Sequence, residues 1–217
     1  MRYEAVVFDL DGTLLDTLDD LADSLNRVLR DRGLRTHPQE AYRYFVGNGV
    51  TALVSRALPP EKRKDELITD CLEAFRKEYG RNWNVKTRPY EGVPELLDAL
   101  AARHVQMAVL TNKPQHFAEL CVQEFFSNWK FAAILGQRDG IPLKPDPAGP
   151  QAIARSLNIP PQEFLYLGDS EVDMRTAVYA GMFPVGALWG FRPEKELREH
   201  GAVVVINRPM ELLKFVK

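Results

Sequence analysis

Cysteine is scarce in this chain, and what there is stands apart. The 217 residues include two cysteines, Cys71 and Cys121, with no C-x-x-C pair and no histidine-rich tract beside them. That pattern argues against a disulfide framework or a zinc site and reads as two free thiols in a reducing compartment. Long hydrophobic runs are missing as well. No apolar stretch nears the ~18 residues of a membrane span, and Arg2 is the one basic residue ahead of the first apolar run, unlike a signal peptide. The expectation is a cytoplasmic protein with no membrane partner. Neither charge is in excess: 28 basic against 30 acidic residues leave a net charge of −2, so nothing draws nucleic acid or an anionic surface to it. Repeats and low-complexity segments are absent too.

What is present is a chain longer than the ~150 residues of an average domain, which predicts one domain with a large insertion or two unequal ones. Ala5 to Phe8 is a short apolar run of strand character. Helical spacing follows in Leu18, Leu21, Leu25, Val28 and Leu29, with Thr17 and Asp20 placed as a capping box and Gly33 as a stop. Pro38 in a first turn, an apolar stretch from Val50 to Leu58, and Leu67, Cys71, Phe75 and Tyr79 on one face extend the helical reading. Beyond Pro89 the rhythm changes. Short runs (VQMAVLT, AAILG, FLYLGD, PVGALW, AVVVIN) alternate with helix-length polar segments, the pattern of βαβ units. The predicted class is α/β, a doubly wound parallel-sheet core from residues 1–15 and 87–217, interrupted by a helical insertion at 16–86.

Asp9 and Asp11 sit directly after the first strand, followed by Gly12 and Thr13. Carboxylates that close repel unless a raised pKa or a bound cation offsets them. Thr111 and Asn112 follow the run MAVL, Lys144 lies in PLKPDP, and Asp169 and Asp173 lie in GDSEVD after FLYL. In a parallel sheet all of these converge on the carboxyl edge, where such folds build their sites. The set supplies carboxylates for a cation (Asp9, Asp11, Asp169), a fixed positive charge (Lys144), and a hydroxyl with N–H groups (Thr111, Asn112) for anionic oxygens. Phosphoryl transfer needs these parts, and an all-oxygen donor set suits Mg²⁺. Asp9, already ionised at neutral pH, is the candidate nucleophile, forming an aspartyl phosphate. Asp11 is the candidate acid and base. Asp173 either orients the metal site or caps the following helix.

The motifs DLDGTLLDT, LTNK, LKPDP and GDSEVD, in that order with helices inserted after the first, resemble the haloacid dehalogenase superfamily of Mg²⁺-dependent phosphohydrolases. The resemblance spans the chain and implies a Rossmann-like core with a helical cap. It also implies Asp9 as nucleophile, Asp11 as acid/base, Thr111 and Lys144 as phosphate holders, and metal contacts by Asp9, Asp11, Asp169 and Asp173. Within the superfamily, DTLDDLADSLN, FVGNGVTALVSRAL and TNKPQHFAEL are similar to phosphoglycolate phosphatases, in which the Gly-rich cap stretch, here Gly47, Asn48 and Gly49, helps define the substrate pocket. The implied partner is a small phosphorylated metabolite. The oligomeric state is not legible.

Other readings are weighed against this one. GNGVTA imitates a dinucleotide fingerprint but follows helical sequence, so a cap turn is the better reading. A phospho-receiver domain uses the same residue types in another order. A dehalogenase lacks the second aspartate, and the mutases of the superfamily carry a histidine where LDDLADSLN has none. Mutase, nucleotidase and pyrophosphatase activities stay open, because fold does not choose a substrate.

Overall fold

The computed structural model describes residues 3–217. It opens with β1 (Ala5–Phe8), four apolar residues all buried, as in a central strand covered on both faces. A two-residue strand, β2 (Leu15–Asp16), leads into four helices: α1 (Leu18–Asp31), α2 (Gln39–Phe45), α3 (Val50–Ala57) and α4 (Asp65–Asn82). The chain returns through β3 (Arg88–Pro89), which pairs antiparallel with β2. There follow α5 (Val93–Ala102), β4 (Gln106–Pro114), α6 (Gln115–Phe126), β5 (Ala133–Gln137) and α7 (Ala148–Leu157). The chain closes with β6 (Phe164–Gly168), α8 (Glu171–Ala180), β7 (Phe183–Ala187), α9 (Glu194–Glu199) and β8 (Val204–Ile206).

Six strands form one parallel sheet in the order β5-β4-β1-β6-β7-β8. This is the expected doubly wound α/β arrangement. Strand order reverses at β1, which opens a crevice at its carboxyl end. Alternation along β1 explains the two layers beside the sheet: Val6 and Phe8 face a cluster with Leu97, Cys121 and Phe126, whereas Ala5 and Val7 face Ile153, Tyr166 and Ala177. The helices α1 to α4 bury a separate cluster, with Leu25, Leu29, Val54, Cys71 and Phe75 inside it, and Phe191 from beyond β7 completes it. Each such side chain removed from water contributes about 1.5–3 kcal/mol, enough to hold these helices together.

Two local expectations are corrected. Thr17 does precede α1, but its backbone lies outside the extended cap geometry and its hydroxyl makes no cap bond. Asp20 instead accepts from the N–H groups of Lys86 (2.9 Å) and Thr87 (2.8 Å) and from Thr87 Oγ1 (2.8 Å). The β2–β3 pairing brings these donors beside the first turn of α1, and a buried carboxylate with three donors gains more there than in a capping box. Pro38 falls one residue before α2 rather than inside its first turn.

Candidate active site

The register Phe8↔Val109 and Phe8↔Leu167 sets the carboxyl ends of β4, β1 and β6 side by side. Asp9, Thr111 and Asp169 are thereby neighbours, and the loop after β5 adds Lys144. One carboxylate oxygen from each of Asp9, Asp169 and Asp173 lies within 4.8 Å of the others. Lys144 Nζ donates to Asp9 Oδ1 (2.6 Å), Asp173 Oδ1 (2.7 Å) and the Leu110 carbonyl (3.2 Å), all in a buried setting. Burial, then repulsion from Asp173, lifts Asp9 well above the ordinary carboxylate range against the pull of Lys144. Asp169 is pushed up to about 7 by burial and Asp173, although the Phe191 N–H (2.7 Å) and Thr13 Oγ1 (3.1 Å) both donate to it. Burial alone would weaken the basicity of Lys144, but Asp173 and Asp9 outweigh it and raise its pKa. Gly12 packs against the Asp169 carboxylate at positive φ (92°), and a Cβ there would collide with it.

Asp173 does both things the sequence left open. Its Oδ2 accepts from the Ser170 N–H (3.1 Å) and hydroxyl (2.5 Å), closing a capping box on α8, while Oδ1 holds Lys144. Its two oxygens are therefore committed. Asp11 turns away from the three-carboxylate cluster, and Lys113 Nζ donates to both of its oxygens (2.9 and 3.3 Å). The same ammonium donates to Tyr79 Oη (2.8 Å) on α4 and lies 4.9 Å from the center of that ring. Thr111 Oγ1 accepts from the Lys113 N–H (3.1 Å), which leaves its own proton available. Asn112 braces the site rather than facing it with its amide: the side chain donates to the Gly47 carbonyl (2.9 Å) and accepts from the Lys144 N–H (2.8 Å).

Asp9, Asp11, Thr111, Lys113, Lys144 and Asp169, but not Asp173, line a cavity of about 60 Å³ between the sheet edge and the helices. Gly47 and Gly49 are on its wall. Asn48, expected there too, is not on that wall: Arg56 donates to its side-chain oxygen at 2.6 Å, and this draws the amide onto α3.

The family model of the haloacid dehalogenase-like hydrolases matches residues 6–187. The chain belongs to that family. Among relatives of this haloacid dehalogenase-like hydrolase, a phosphoglycolate phosphatase of Pseudomonas savastanoi pv. phaseolicola is 34% identical, over 96% of this chain and 78% of that one. An N-acetylmuramic acid 6-phosphate phosphatase of Pseudomonas putida is 32% identical, over 100% of this chain and 97% of the other. A crystal structure from Lactobacillus delbrueckii subsp. bulgaricus, of a candidate phosphoglycolate phosphatase, superposes with a TM-score of 0.92 at 31% identity, covering 98% and 97% of the two chains. Within its family this hydrolase stands among the phosphatases.

Sequence reasoning missed several residues of the hydrolase site. Lys113 lies inside LTNK, one position past the residues singled out, and its place next to Thr111 and Asn112 was signal enough to raise it. Thr13, inside the leading motif, was equally accessible. Arg192 carried no signal. It follows β7 and spans to the helices by donating to the carbonyls of Arg43 and Val46, while its charge meets Glu196 (3.0 Å) and Glu171 (3.5 Å).

Proposed function

We propose that this chain hydrolyses a short phosphomonoester through an aspartyl phosphate on Asp9, with Mg²⁺ as cofactor. The observation that carries the reading is the environment of Asp9. It stands in a buried group of three carboxylates with Oδ1 fixed by Lys144, and among the described residues no donor reaches Oδ2. Burying that much negative charge beside one ammonium is unfavourable, as the raised pKa values of Asp9 and Asp169 register. A small hard cation on Asp9 and Asp169 fits both the oxygen donors and the charge deficit. When bound, it supplies charge neutralisation for the incoming phosphate dianion.

The remaining chemistry is done by the chain. Lys144 and the Thr111 hydroxyl attract the equatorial phosphate oxygens and stabilise charge that develops there. An oxygen of Asp9 attacks phosphorus in line with the departing alkoxide. Asp11, steered by Lys113, gives its proton to that oxygen and then takes one from the water that cleaves the aspartyl phosphate. The helices α1 to α4 act as a cap that excludes bulk water from the first step. Both substrates named for the relatives, phosphoglycolate and N-acetylmuramic acid 6-phosphate, pair a phosphate ester with a carboxylate.

Phosphate release from phosphoglycolate, with and without chelator, tests the proposal together with peptide mass mapping of acid-quenched enzyme. Expected are Mg²⁺-restored turnover and a phosphorylated peptide containing Asp9. Undiminished activity in chelator, or phosphate on another residue, overturns it.

A further inference from the structure

We propose that Arg76 recognises a carboxylate on the substrate, which makes short phosphomonoesters carrying a carboxylate the substrate class. This deepens the phosphatase reading above and rests on it. Four cations line the cavity, and three of them are spoken for. Lys144 is held between Asp9 and Asp173, Lys113 is paired with Asp11, and Arg192 with Glu171 and Glu196. Arg76 is the fourth. Among the described residues no carboxylate or carbonyl accepts from it, although it sits on α4 at the wall of the same cavity.

Its position fixes what it can reach. Arg76 precedes Tyr79 by three residues, so the two are neighbours along one helix face. Tyr79 Oη is 2.8 Å from Lys113 Nζ, which is 2.9 Å from Asp11 Oδ1. The face that carries Arg76 therefore overlooks the acid/base, on the leaving-group side of the reacting phosphate. Around it the wall is apolar, with Leu53, Phe75 and Phe191 contributing. Arg76 is itself exposed, on the solvent side of this wall, and its unpaired guanidinium there offers a planar fork of donors that matches a carboxylate.

The test compares phosphoglycolate with ethyl phosphate, which has the same two-carbon chain but a methyl group in place of the carboxylate. kcat/KM is measured on both esters for the wild type, Arg76→Ala and Arg76→Lys. The expected wild type prefers phosphoglycolate. Arg76→Ala lowers that preference by about 3- to 5-fold, mainly through KM, since one solvent-exposed charge-assisted contact is lost. Arg76→Lys retains part of it, because the charge stays while the fork is gone. A preference in Arg76→Ala within about twofold of the wild type overturns the role of Arg76. Equal kcat/KM for the two esters in the wild type overturns carboxylate recognition and leaves the phosphatase reading standing. Turnover of neither ester overturns both.

Discussion

Replacing Lys144 by Met removes the one ammonium that reconciles Asp9 with Asp173. The substituted side chain has similar length and no charge, so packing changes little. What is lost is two ion pairs, at 2.6 and 2.7 Å, and a hydrogen bond to the Leu110 carbonyl at 3.2 Å. Two carboxylates then face each other in a buried site. Breaking a buried pair by deleting one partner costs about 3–5 kcal/mol, because the remaining charge is left uncompensated. Unfolding entropy of about 2.1 cal/mol/K per residue gives about 0.46 kcal/mol/K for 217 residues. The variant should therefore melt about 7–11 °C below the wild type, in chelator and near neutral pH. Thermal unfolding followed by circular dichroism reads this directly. The same substitution in an Asp173→Asn background should cost less, since one of the two stranded charges is already gone. A shift under about 2 °C, or one as large with Asn at position 173 as with Asp, would refute the claim that charge compensation holds this cluster.

The other expected outcomes are narrower. Asp9→Asn should fold normally and lose phosphate release by at least ~10³-fold, and normal turnover by a folded variant removes Asp9 as nucleophile. Asp169, whose pKa is raised from 3.8 to about 7 in the fold, keeps its proton longer in the native state than in the unfolded one. The sign follows: metal-free protein is favoured below pH ~4 and loses up to about 4 kcal/mol as pH rises toward 7. In chelator the melting temperature relative to Asp169→Asn should fall over that window and recover on adding Mg²⁺; a flat or rising difference contradicts it. Gly12→Ala should raise the Mg²⁺ concentration needed for half-maximal activity, because a Cβ at positive φ displaces Asp169. An unchanged metal requirement would show that the Asp169 position does not depend on that glycine. Leu25→Ala in the helical cluster should cost about 2–5 kcal/mol of stability, and a loss well below this means the cluster is loosely packed.

Periodicity and order determined much of this protein before any fold was drawn. The apolar run at Ala5–Phe8, the helical spacing from Leu18 to Leu29 and the later strand runs each carry their period locally, so the α/β class and the helical insert were legible. Asp9, Thr111, Lys144 and Asp169 were legible for a related reason: Asp9 and Asp169 follow β1 and β6, Thr111 lies in the carboxyl half of β4, Lys144 lies in the loop after β5, and parallel strands bring their carboxyl ends together. The tertiary structure alone decided how those groups are shared out. Asp20 leaves its expected cap because donors 66 and 67 residues away arrive through the β2–β3 pairing. Asp11 leaves the acidic cluster because Lys113 and Tyr79, from different elements, meet it in the cavity. Asp173 can cap α8 and hold Lys144 at once because its two oxygens point to opposite partners. Arg192 and Arg76, the latter unpaired among the described residues, become visible only when charges distant in sequence are seen to be paired or not. Local pattern is written residue by residue, whereas the partner of a charge is set by which surfaces close on one another.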